Sequence, residues 1–115
     1  MKRLFALLVL VAVPLFTADS QIIKTQLSLT VRDELGNTVE GASVLLFDSE
    51  ADFVAEKNEV AKGATDKKGG IKFKELKAIG YFVIVRKGDK DNIGGGEKIE
   101  PLVANRINKA TIVIQ

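Results

Sequence analysis

Residues 27–47 read LSLTVRDELGNTVEGASVLLF, and the fold follows from how this stretch alternates. Leu27, Leu29 and Val31 are separated by Ser28 and Thr30, and Val44 and Leu46 repeat the spacing. Side chains on an extended strand point to opposite faces in turn, so each run buries one face and wets the other. Between them, Asp33 to Gly41 is a polar connection with Gly36-Asn37 at its tip, residue types that tolerate positive φ. The stretch is therefore expected to form an antiparallel strand pair with its apolar face covered by the rest of the chain.

On the N-terminal side, Ile22 to Gln26 lead into the first strand. Before them stands a segment of different character. Lys2 and Arg3 precede an apolar run from Leu4 to Phe16 interrupted only by Pro14, followed by the polar Thr17-Ala18-Asp19-Ser20. A basic start, a short apolar stretch and small residues at Ala18 and Ser20 describe a signal peptide over 1–20, cleaved before Gln21. As a helix the apolar run would span about 20 Å, short of the roughly 30 Å of a bilayer core. A retained anchor is thus disfavoured, and no membrane insertion is expected after cleavage. The chain has no Cys, which excludes a lipidated N-terminus.

Removing Lys2, Arg3 and Asp19 takes the formal net charge from +2 to near neutrality. Lys and Glu are interspersed, so the expected mature domain, 21–115, carries no electrostatic footprint for nucleic acid. His is also absent. That removes Ser-His-Asp and Cys-His nucleophiles and the commonest zinc ligand together. An exported domain of this size without disulfides must be held by packing alone.

Beyond Phe47 the pattern stays β-like. Ser49 is a candidate N-cap for a short helix or structured loop near 49–57, with Asp48, Glu50 and Asp52 suited to a helix N-terminus and Phe53 and Val54 as its apolar contacts. Glu59 to Thr65 is a weak strand, Asp66 to Gly70 a tight turn, and Ile71-Lys72-Phe73 a further strand. Tyr81 to Arg86, YFVIVR, is apolar on both faces and is expected to lie centrally. Phe73 and Tyr81 read as core, and Phe82 as facing a second sheet surface or a partner. Lys98 to Leu102 is a candidate edge strand, since Pro101 lacks a ladder donor, and Lys109 to Gln115 closes the chain. Lys72, Lys74, Lys77 and Lys87 suit strand edges that avoid pairing with other chains. Some seven short strands at regular spacing describe an all-β sandwich.

Set in order, Val31-Arg32-Asp33, Gly36-Asn37, Val39-Glu40-Gly41-Ala42 and Val44, then Thr65-Asp66, Gly69, Phe73, Leu76 and Tyr81, resemble the carboxypeptidase regulatory-like domain. Thr38 stands where that family usually has Pro. The resemblance implies a seven-strand Greek-key, prealbumin-like (transthyretin- and CnaB-like) sandwich over 21–115, commonly an accessory module of exported bacterial proteins. It also supplies chemistry to look for. Transthyretin-like hydrolases of 5-hydroxyisourate use His and a C-terminal Tyr-Arg-Gly-Ser; this chain has no His and ends Ile-Val-Ile-Gln. CnaB-like domains form a Lys–Asn isopeptide beside an acid, but the positions matching the Lys and the acid are Val31 and, approximately, Val85. A neutral amine and a proton-shuttling carboxyl are both needed, and Val offers neither. Carboxypeptidase activity belongs to a separate zinc domain.

One chemical candidate remains. Asp89, Asp91, Glu97 and Glu100 fall at positions 1, 3, 9 and 12 of an EF-hand-like loop with Gly94 at position 6, a candidate Ca²⁺ loop. Ile93 stands at position 5, where an oxygen ligand belongs. No other cofactor is expected. The sequence thus points to a non-enzymatic exported module, periplasmic or extracellular, binding or scaffolding a protein or carbohydrate partner at a surface. The alternative is a periplasmic small-ligand or Ca²⁺-binding protein using the 88–97 loop.

Overall fold

The computed structural model describes residues 23–115; the leader expected over 1–20 lies outside them. In chain order the elements are β1 (Gln26–Asp33), β2 (Ser43–Phe47), α1 (Glu50–Ala55), β3 (Ala61–Ala64), β4 (Gly70–Phe73), β5 (Tyr81–Lys87), β6 (Lys90–Asp91), β7 (Lys98–Ile99) and β8 (Ile107–Ile114). They form two sheets, one ordered β4-β1-β8 and the other β3-β2-β5-β6, with β7 also on β5. The all-β sandwich with one short helix is what the sequence pattern requires. β6 and β7 line the same edge of β5, opposite Arg86–Lys87 and Tyr81–Phe82 respectively. They act as one broken strand, so the sandwich has seven strand positions.

The pairing of the two opening runs is different from expectation. β1 lies between β4 and β8, while β2 lies between β3 and β5 in the other sheet. Leu27, Leu29 and Val31 therefore meet Val44 and Leu46 across the sandwich, all five fully buried in one cluster. Alternation states which face is buried and is satisfied equally by a neighbour in the sheet or by an opposing sheet.

The connection between them shows how the chain changes sheets. The Asp33 carboxylate accepts from the backbone N–H of Leu35 and Asn37, each at 3.0 Å. Gly36 takes φ +88, and the returning chain bridges β1 only once, Arg32 to Thr38. Val39 N–H still donates to Val31 C=O, but Gly41 N–H already donates to Thr65 C=O beside β3. The buried Thr65 hydroxyl fixes the crossing point. It accepts from Ala42 N–H at 2.9 Å and donates to Val39 C=O at 2.6 Å. A hydroxyl is needed here because one atom must both accept and donate where the ladder is interrupted.

Asp66 repeats the device in the β3–β4 turn, accepting from Lys68 and Gly70 N–H at 2.9 Å. The backbone donors to Asp33, Asn37 foremost, and those to Asp66, Gly70 foremost, hold both carboxyls below their ordinary range. A depressed folded-state pKa contributes stability that is complete above the ordinary carboxylate value of about 4 and is lost as pH falls through the lowered values. Melting temperature is expected to fall on acidification below about pH 4, and the double variant Asp33→Asn/Asp66→Asn to flatten that fall. Melts of parent and variant across the acid range check it; parallel curves would show that these turns contribute nothing to acid sensitivity.

Candidate functional site

The loop from Gly88 to Glu97 holds the residues that the sequence marks for metal binding, and its structure is built around a different side chain. Asn92 is 1% exposed. Its Oδ1 accepts from Val85 N–H at 2.8 Å, and its Nδ2 donates to the C=O of Val83 and of Gly96, both at 2.9 Å. Between β6 and β7 no strand residue reaches the edge of β5, and the Asn92 carboxamide takes the place of the missing peptide group. A side-chain amide carries the same donor and acceptor as a backbone unit, which makes Asn the residue for this position.

Around it, the four carboxylates are dispersed. Asp91 belongs to β6, exchanges backbone hydrogen bonds with Gln115, and accepts from Ile93 N–H at 3.0 Å through its carboxylate. Glu97 accepts from Gly94 N–H across the same turn. Asp89 is exposed at the tip of the β5–β6 turn, and Glu100 is exposed beyond β7. Among the described residues no group of three or more acidic, His or Cys side chains is placed to hold a metal ion. Two of the four candidates are brought into one turn, where each caps a backbone donor.

The core answers the question of internal crosslinking. Val31 and Val85 are both fully buried and belong to one apolar cluster with Ile112 and Ile114. The buried polar side chains among the described residues are Thr25, Thr65 and Asn92, so the core holds no amine or carboxyl to react. Tyr81 fits the same picture. It is 3% exposed, its hydroxyl donates to Lys77 C=O at 2.9 Å, and burial pushes its pKa up.

Outside the core, α1 packs on the outer face of β2 and β5. Ser49 caps it by accepting from Asp52 N–H, with Glu50 and Asp52 in its first turn. Phe53 stacks on Phe82 at 5.3 Å between centroids and meets Phe47 edge-on at 6.1 Å. Glu56, the left-handed C-cap at φ 54, takes a two-bond ion pair from Arg86 at 2.7 and 2.8 Å. Phe82 does face a second surface, as its alternation requires, and that surface is covered by the chain's own helix. Val54, on the far side of α1, is 72% exposed, so it is not the packing contact that the sequence suggests.

The bridging roles that sequence reasoning missed are those of Asn92, Thr65 and Asn108. Asn108 donates to the C=O of Gln26 and Val103 at 3.0 Å and accepts from Val103 N–H at 2.8 Å, pinning the 102–106 loop at the start of β8. Each sits in a polar stretch, where nothing in the sequence separates a buried bridging amide from a solvated one.

No protein-family model matches the chain, and no curated protein does. Solved structures do. The Bacillus anthracis TIE protein matches 80% of this chain with a TM-score of 0.57 and 23% identity. BcpA, the major pilin subunit of Bacillus cereus, matches 81% with a TM-score of 0.56 and 21% identity. The group B streptococcus pilus 2b backbone protein matches 79% with a TM-score of 0.52 and 15% identity. This chain spans 17%, 30% and 40% of those chains respectively, so the likeness is to one part of each larger protein. It establishes the sandwich fold. The carboxypeptidase regulatory-like label stays a resemblance of motifs.

Proposed function

We propose that this chain is a non-enzymatic, exported structural module that works by protein–protein contact at or outside the cell surface. The observation that carries the reading is the core itself. A sandwich shared with two pilus subunits is filled here with Val31, Val85, Ile112 and Ile114, and among the described residues its core buries no amine or carboxylate. Function is thereby left to surfaces and loops, the usual arrangement when a rigid sandwich presents a binding element. The leader-like 1–20 segment supports export, and the fold's occurrence in pilus proteins supports a surface setting.

Expression in a bacterial host followed by fractionation, intact-mass measurement and protein crosslinking on whole cells tests this. The expected product lies outside the cytoplasm, begins at Gln21, has the mass of an uncrosslinked chain with no ammonia lost, and is captured with protein neighbours. A cytoplasmic chain retaining Met1, or a mass short by one ammonia, would refute the proposal.

A further inference from the structure

The edges of the two sheets are not alike. β3 and β4 are edge strands of four residues each, and β7 has two residues and runs on to Pro101. Short edges and Pro are the ordinary ways of preventing a sheet from adding strands. β8 has neither of these two protections, and Lys109 is the single charged side chain on it. It is eight residues long, INKATIVI, without Gly or Pro, and among the described residues its strand partner is β1 alone.

The direction of its free groups is fixed by two observations. Gln26 N–H bonds Arg106 C=O towards β1, and Gln115 exchanges hydrogen bonds with Asp91 on the opposite side. Backbone groups alternate along a strand, so Ile107, Lys109, Thr111 and Val113 turn both N–H and C=O away from β1. Their side chains are exposed, with Ile107 and Val113 each at 43%.

We propose that this edge is a self-association surface, on which β8 of a second copy pairs antiparallel and joins the two three-stranded sheets into one. The sequence of the strand selects the occupant and the register. Pairing centred on Ala110 sets Ile107 against Val113 of the second copy and Lys109 against Thr111, using all four outward residues. Apolar faces apolar at both ends, and in the middle Lys109 faces a hydroxyl rather than a like charge. A shift centred on Lys109 would set it against its own copy, a like-charge pair that opposes the register. Ala110, the small residue at the two-fold axis, permits close approach of the strands there.

The test uses the chain purified after export. Sedimentation over a concentration series should show a monomer–dimer equilibrium. Thr111→Pro deletes one outward N–H in each copy, a change an edge strand tolerates, and should weaken the dimer by roughly a hundredfold. Register is read separately, because the chain has no Cys of its own. Ala110→Cys should form an intermolecular disulfide on mild oxidation, since facing Cα atoms at a non-hydrogen-bonded pair lie within disulfide range. Lys109→Cys should not. Should Thr111→Pro disturb folding, the two Cys variants decide alone. A monomer at every concentration, a dimer that crosslinks through position 109, or a monomer that instead takes up a strand from another protein would each overturn the proposal.

Discussion

Asn92→Ala should lower stability by about 3 to 5 kcal/mol, a large share of what holds a domain of this size together. The substitution removes the acceptor for Val85 N–H and the donor to the Val83 and Gly96 carbonyls. Val83 and Val85 are fully buried. A polar group stranded away from water costs about 1–3 kcal/mol, more than the hydrogen bond itself contributes. The broken strand β6–β7 loses its splice at the same time, so the 92–97 turn should open first. At about 4–8 °C per kcal/mol, the melting temperature is expected to drop by more than about 12 °C. Asp91→Ala, one residue away, removes only an exposed turn contact and should cost under about 1 kcal/mol. Thermal melts of the two variants compare them directly; similar midpoints would mean that Asn92 is not the splice.

Gly69→Ala is the second large effect, at about 3 kcal/mol or more. Gly69 holds φ +74, and a Cβ there would stand 2.8 Å from Val31 C=O, 2.9 Å from Thr38 Cβ and 3.0 Å from Val39 N. Two of these atoms are backbone, so relief requires moving β1 or the crossing chain. Gly69 C=O also accepts from Val31 N–H at 2.8 Å, and any shift strains that bond. Gly36→Ala separates the contributions. Gly36 holds φ +88 with nothing within 4 Å of its would-be Cβ, so that variant should show the backbone strain alone, about 1 kcal/mol. Equal losses in urea titrations of the two would show that the crowding at Gly69 is absorbed.

These two positions also mark how far the sequence could be read. Most strand locations, the helix after Ser49 and the central place of Tyr81–Arg86 follow from alternation and capping, which are local and survive into the fold; the two-residue β6 does not, because Lys90–Asp91 lies in a polar stretch that reads as loop. Which strand faces which does not follow. Leu27–Val31 and Val44–Leu46 give the same pattern whether they pair or oppose, and the choice rests on Thr65, far along the chain. Gly69 is visible as a turn residue, but its crowding depends on β1 and the crossing chain brought against it. In the 88–97 loop, the acidic residues stand out because metal sites are recognised by spacing. Asn92 does not, because a carboxamide in a polar stretch looks the same whether it is solvated or substitutes for backbone.

The pairing of β1 with β8 has a mechanical meaning. The two strands run parallel in register from Gln26 opposite Ile107 to Asp33 opposite Ile114. The chain enters the sandwich at one end of this ladder and leaves it at the other. Tension applied through the two termini would therefore pull the strands lengthwise past each other. Every rung between them would bear load at once, whereas an antiparallel hairpin pulled at its ends peels open one rung at a time. Under such load that geometry resists rupture through the backbone ladder itself.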